Sequence, residues 1–153
     1  MGVLMNLPSL SLKGRALRLL SGREYSRLEL ERKLASFEEE DGALAKALDE
    51  LQAKGFINEQ RVLESVVNRR AAKLGAARIR QELQGKGLEP EAVAQALSAL
   101  RATELDRARE VWRKKFGEPA TDAAERGKQM RFLASRGFGG DAIRRVVAGD
   151  PDD

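Results

Sequence analysis

Neither cysteine nor histidine occurs anywhere in the chain. Those absences exclude disulfides, thiolate and imidazole metal sites, cysteine nucleophiles and histidine general bases. An enzyme would have to work with carboxylates, lysine, serine or tyrosine alone. The expectation is therefore a binding protein with no catalytic residue, no cofactor and no metal. The lack of cysteine also fits a reducing compartment. Prolines number only four, Pro8, Pro90, Pro119 and Pro151, which leaves long stretches free to be helical. Aromatics are 5% of the chain. No stretch alternates apolar and polar residues for the length of a strand. Long apolar runs are missing too. Met1 to Leu12 is apolar but too short to span a membrane and has no basic leader. Asn6 stands where a myristoylation signal carries Ser or Thr. The chain reads as a soluble, cytoplasmic monomer without a membrane partner.

What is present is charge on a helical background. Charged residues make up 34% and apolar ones 42%, enough for a core under a heavily solvated surface. The net charge is +4, from 28 basic and 24 acidic side chains. A mildly basic helical protein commonly meets nucleic acid or an acidic partner, although such a balance also serves plain solubility.

Helix signals recur along the chain. Ser9 or Ser11 caps a helix running to about Leu20, and Ser21-Gly22 ends it. Ser26 and Glu29 form a capping box ahead of Leu30 and Leu34. Phe37 and the acidic run Glu38-Glu39-Glu40-Asp41 follow. That run sits near a helix start, where carboxylates are favoured, and lacks the spacing of a calcium site. A third helix carries Leu44, Leu48 and Leu51 and stops at Gly55. Asn58 caps a helix bearing Val62, Val66 and Val67. Gly75 precedes a helix with Ile79 and Leu83 inward, ended by Gly87 and Leu88. Glu89-Pro90 opens the next, with Val93, Leu97 and Leu100. Beyond Thr103, the residues Leu105, Ala108, Val111 and Trp112 make a buried stripe that places Trp112 and Phe116 in the core rather than on a base-stacking platform. Thr121 caps a helix with Met130 and Leu133, ended by Gly137-Phe138. Ile143, Val146 and Val147 line the last one.

Overlaying these segments exposes a repeat. Leu34, Leu83 and Leu133 occupy one position, at separations of 49 and 50 residues. Ten residues further on stand Leu44, Val93 and Ile143, and four beyond those, Leu48, Leu97 and Val147. A single bundle of nine helices would need no such register. The fold class is therefore all-α, an elongated, curved array of three tandem three-helix repeats, whose small units must share cores with their neighbours. The repeats are expected at 9–56, 57–102 and 103–148, between a flexible tail at 1–8 and a flexible acidic tail at 149–153. Helix-turn-helix geometry comes to mind as well, but the exposed faces of the third helices lack a cluster of base-reading side chains.

Charge is uneven among the repeats. Residues 57–103 hold eight basic and five acidic groups, whereas 1–56 hold nine of each and 104–153 hold eleven and ten. Within 61–86, seven basic groups face only Glu64 and Glu82, a surplus of five. The candidate partner- or DNA-binding patch is Arg69, Arg70, Lys73, Arg78, Arg80 and Lys86. Each phosphate it neutralised would release about one counterion, making binding salt-sensitive. The bland alternative is a solvated face laced with pairs such as Arg78 with Glu82. Arg113-Lys114-Lys115, at a helix end, reads as complementing the helix dipole.

Arg78-Ile79-Arg80-Gln81-Glu82-Leu83-Gln84-Gly85-Lys86-Gly87-Leu88 resembles the central signature of the RecX family, regulators of the RecA recombinase. Three other segments agree in order and spacing: Ala16 to Leu30, Leu48 to Arg61, and Lys114-Lys115-Phe116-Gly117 with Met130 to Phe138. The likeness spans roughly residues 12–148. Two places depart from it. After Leu34 stand Ala35-Ser36-Phe37 instead of a Lys-Gly-aromatic ending, and Val62 stands where an aromatic is usual. The resemblance implies a non-enzymatic protein that binds the RecA filament along its groove, with single- or double-stranded DNA within reach. It further implies inhibition of ATPase, strand-exchange and coprotease activities, and so regulation of recombination, DNA repair and the SOS response. The competing reading is a nucleic-acid-binding helical module without RecA specificity.

Overall fold

The computed structural model describes residues 10–149. The expected tail at 1–8, the candidate cap Ser9, and residues 150–153 of the tail expected at 149–153 lie outside the described residues; Gly149, the first residue of that tail, is the C-cap of the last helix. Among those residues the chain forms nine α-helices and no strand: α1 Leu12–Gly22, α2 Arg27–Leu34, α3 Ala43–Ala53, α4 Glu59–Arg70, α5 Ala76–Gly85, α6 Pro90–Arg101, α7 Glu104–Lys115, α8 Ala123–Ser135 and α9 Gly140–Ala148. The chain divides into two compact units, and the division falls after Val62, inside α4.

In the first unit, Ser11 caps α1 by accepting the Gly14 N–H at 3.0 Å. Ser26 and Glu29 close a reciprocal capping box on α2. Ala16, Leu30 and Leu48 are fully buried and pack with Tyr25, Leu34, Leu44, Leu51 and Ile57. Each fully buried leucine contributes about 1.5–3 kcal/mol over its exposed state. The departure after Leu34 has a structural counterpart here. Ala35–Phe37 form a single 3-10 turn, and the Glu38 carboxylate then accepts the Leu44 N–H at 2.8 Å at the start of α3. Phe37 does not fold back onto the core as its counterparts Leu88 and Phe138 do. It is 45% exposed, with the Arg15 guanidinium 3.9 Å above its ring.

The second unit holds the rest of α4 and the helices α5 to α9. The first turn of α4 belongs to the first unit, where Asn58 caps it by accepting the Arg61 N–H at 2.9 Å. Leu63 and Val66 are buried on α4, Ile79 and Leu83 on α5, and Val93, Leu97 and Leu100 on α6. Val67 is only half-buried. Gly87 and Gly137 adopt positive φ, 70° and 90°, and let the chain reverse so that the N–H of Leu88 reaches the Leu83 carbonyl and that of Phe138 reaches Leu133. Asp122, not Thr121, caps α8, accepting the Glu125 N–H at 2.8 Å; its carboxylate is one residue closer to the first turn.

The nine anchors of the repeat are all buried: Leu34, Leu83 and Leu133, then Leu44, Val93 and Ile143, then Leu48, Leu97 and Val147. The cluster of the first repeat takes only Ile57 from beyond residue 56. The cluster of the third is built from Ala108, Leu133, Phe138, Ala142, Ile143, Val146 and Val147. It is closed by a polar pair: buried Gln129 accepts from the Trp112 indole N–H at 2.9 Å and donates to the Glu118 carbonyl at 3.1 Å. Trp112 and Val111 pack on this cluster while staying half-exposed.

Candidate functional site

Within the second unit, backbone bonds bind the second repeat to the third. The Gly75 N–H donates to the Arg136 carbonyl at 2.8 Å, and that of Ala77 to Gly137 at 3.2 Å. Between them the Ala76 N–H donates to Glu104 Oε1 at 2.7 Å. Arg78 Nη1 adds a bond to the Ser135 carbonyl at 2.6 Å. The start of α5 thus takes up the carbonyl end of α8, donors meeting acceptors that would otherwise be orphaned at both helix ends. Arg107 completes the joint. Its guanidinium donates to the carbonyls of Ala71, Leu74 and Leu100 at 3.0, 2.7 and 3.0 Å. Burial lowers its pKa from the ordinary arginine value, and the Glu104 carboxylate opposes that shift.

Glu104 has a counterpart in the first unit. Glu59, at the start of α4, accepts the backbone N–H of Arg27, the first residue of α2. Ala76 is likewise the first residue of α5. In both cases an acid opening one repeat caps the middle helix of the repeat before it.

The joint frames a cleft of about 880 Å³. One wall is the corner from α4 to α5, with Arg70, Lys73 and Arg78; the other is formed by α7 and α8, with Lys114, Lys115 and Arg136. Leu74, Val111 and Phe132 supply the apolar lining. Six basic groups here face one lining acid, Glu82, a surplus of five. Glu82 is already engaged by Arg69 and Arg70, each at 2.9 Å. The Arg78–Glu82 pair that the alternative of a solvated face would have supplied is not formed; Arg78 donates to the Ser135 carbonyl instead. Phe132 sits under the Arg136 guanidinium, 4.7 Å from the ring centre, and the Lys115 ammonium, 5.3 Å away. Phe116 meets the same ring edge-on at 5.5 Å.

The six candidate residues do not form one surface. Arg70, Lys73 and Arg78 line the cleft, and Arg69 braces it through Glu82. Arg80 follows Arg78 by two residues and so turns about 200° around α5. It lines a separate cavity of about 410 Å³ with Arg101, beside Leu88, Pro90 and Leu97. Lys86 is the C-cap residue of α5 and lines neither cavity. Sequence reasoning missed Lys114, Lys115 and Arg136. Arg113 and Lys114 do engage Glu110, at 2.6 and 3.9 Å. Helix-end placement accounts for that pairing but not for the cleft, which exists only once α8 lies against the α4–α5 corner.

Fold and cleft together define a helical-repeat protein with a basic, apolar-floored groove between two of its repeats. Residues 58–97 match the family model for the second three-helix domain of RecX, and residues 102–147 match the model for the third. Regulatory protein RecX of Leptothrix cholodnii is 54% identical over 142 residues, covering 93% of this chain and 90% of that protein. Regulatory protein RecX of Herminiimonas arsenicoxydans is 50% identical over 137 residues, covering 90% of this chain and 91% of its own. A crystal structure of RecX from Lactobacillus salivarius shares the fold, with a TM-score of 0.74, 20% identity, and coverage of 90% of this chain and 93% of that one. The chain belongs to the RecX family of regulatory proteins. Among the described residues, no helix is long and apolar enough to cross a membrane.

Proposed function

We propose that the protein modulates the RecA recombinase: it binds the RecA–DNA filament in the cytoplasm as a monomer and inhibits ATP hydrolysis, strand exchange and coprotease activity. Recombination, DNA repair and the SOS response would be regulated by that inhibition. The reading is supported by membership in the RecX family, and the observation that carries it is the cleft, where six cations face one lining acid, itself already paired. Such a surface attracts a polyanionic partner and should release it as salt rises.

The deciding measurement is RecA-catalysed ATP hydrolysis on single-stranded DNA with the protein well below the RecA concentration. Loss of hydrolysis at that ratio, relieved by Lys73→Glu or Lys115→Glu, is the expected result. Hydrolysis that persists until the protein saturates the DNA would instead mark a nucleic-acid-binding module without RecA specificity. Inhibition that survives both substitutions would remove the cleft from the mechanism. Arg80→Glu asks separately whether the second cavity contributes.

A further inference from the structure

We infer that the cleft between the second and third repeats is a receptor for an acidic peptide segment carrying one large apolar side chain. This rests on reading the cleft as a binding surface, and it adds the chemistry of the partner. Three features favour a peptide over a nucleic-acid strand. Cations come from both walls, Lys73 and Arg78 from one and Lys115 and Arg136 from the other, around an apolar centre made by Leu74, Val111 and Phe132. That arrangement suits an anchor residue flanked by carboxylates, whereas a tracked backbone asks for a row of cations with aromatic faces open beside it. The one aromatic ring of the lining is engaged: Arg136 and Lys115 lie over Phe132, and Phe116 packs edge-on against it. A ring stacking on Phe132 would have to displace those groups, so the anchor side chain seats against Leu74 and Val111 instead, which asks for an apolar side chain and not for a stacked base. Finally, the volume of about 880 Å³ falls in the range of concave ligand clefts that combine an apolar lining with a few fixed polar groups, room enough for one large side chain and its neighbours.

The test uses the full chain and fluorescence anisotropy with three labelled probes: an oligoglutamate with a central tryptophan, the same peptide with alanine there, and a short oligothymidylate. The tryptophan peptide should bind about tenfold more tightly than the alanine peptide, since an anchor side chain dominates such contacts. Lys73→Glu and Lys115→Glu, each alone, should weaken it by about tenfold. Arg144→Glu, an equal charge change on α9 outside the cleft, should leave it near the wild-type value, and circular dichroism should show all three variants folded. Equal binding of the two peptides would overturn the inference, because charge alone would then suffice. So would equal weakening by Arg144→Glu. Tighter binding of oligothymidylate, lost in the same two cleft variants, would assign the cleft to nucleic acid. The RecA assay keeps the two readings apart. Inhibition that depends on Lys73 and Lys115 without peptide binding overturns only the peptide inference. Absence of inhibition overturns the RecA reading whatever the peptides do.

Discussion

Gly75 and Gly137 meet backbone to backbone. A β-carbon on Gly75 would overlap the Gly137 carbonyl and stand 2.5 Å from the Phe138 amide nitrogen. One on Gly137 would stand 2.6 Å from the Arg78 nitrogen, at a φ of +90° that side chains rarely adopt. The close approach is what lets α5 collect the carbonyls at the end of α8.

Gly75→Ala should therefore push the two repeats apart and cost about 1–3 kcal/mol, as overpacking does. Gly85→Ala is the contrast. Its β-carbon would meet nothing within 4 Å, so it should stabilise by about 0.4–1 kcal/mol. Urea unfolding of the two variants decides the matter: a Gly75→Ala protein as stable as wild type would show that the backbone approach carries no weight.

Arg107→Ala removes five polar interactions at once, among them the bond from its Nε to the Thr103 hydroxyl at 3.1 Å. The carbonyls of Ala71, Leu74 and Leu100 each lose a donor, although that of Leu100 keeps Thr103, and Glu104 loses the cation 3.9 Å away. The network is half-buried, so its loss should cost less than the about 3–5 kcal/mol of a fully buried pair, on the order of 2 kcal/mol. Lysine should recover only part of it, since an ammonium cannot reproduce the guanidinium fork. Full recovery by Arg107→Lys would mean that charge alone, without the fork, holds the joint.

Gln129→Leu tests the polar pair inside the third repeat. Gln129 is 1% exposed, and its loss leaves both the Trp112 indole N–H and the Glu118 carbonyl without their partner. Each unsatisfied group costs about 1–3 kcal/mol. The melting temperature should drop, and tryptophan fluorescence should shift as Trp112 seeks water. A rise in melting temperature would show that apolar filling outweighs the lost bonds.

Glu59 sets a pH dependence. Burial holds its carboxyl above the ordinary value of 4.5, and the like charges of Glu29 and Glu31 push the same way against the Arg27 amide and guanidinium. The folded chain therefore keeps a proton that the unfolded chain has lost over the range just above pH 4.5, and stability falls as pH rises through that window. Glu59→Gln keeps an acceptor for the Arg27 N–H and removes the titration. Denaturant midpoints from pH 4 to pH 7 should fall less steeply for the variant; parallel curves would contradict the assignment.

The helical anchors were legible because each depends on spacing along one helix. Leu34, Leu83 and Leu133 announce their buried face through neighbours three and four residues away. Ser26 announces its cap through Glu29 in the same manner. The cleft was legible by half. Lys73 and Arg78 stand out as a local charge surplus, but Lys115 and Arg136 join them only through bonds between residues some sixty apart in sequence, such as Gly75 with Arg136. The caps from Glu59 and Glu104 were hidden for the same reason. An acid in a first turn looks like any dipole-complementing residue until its partner helix is in place. Arg80 shows the reverse error: nearness in sequence to Arg78 suggested one surface, and the helical turn put it on another.

The joint at α5 also keeps time. The amide protons of Gly75 and Ala77 are covered by carbonyls of another repeat, not of their own helix. They can exchange with solvent only while the second and third repeats stand apart. Their exchange rate is thus a clock for that separation, and a ligand spanning both walls of the cleft would slow it.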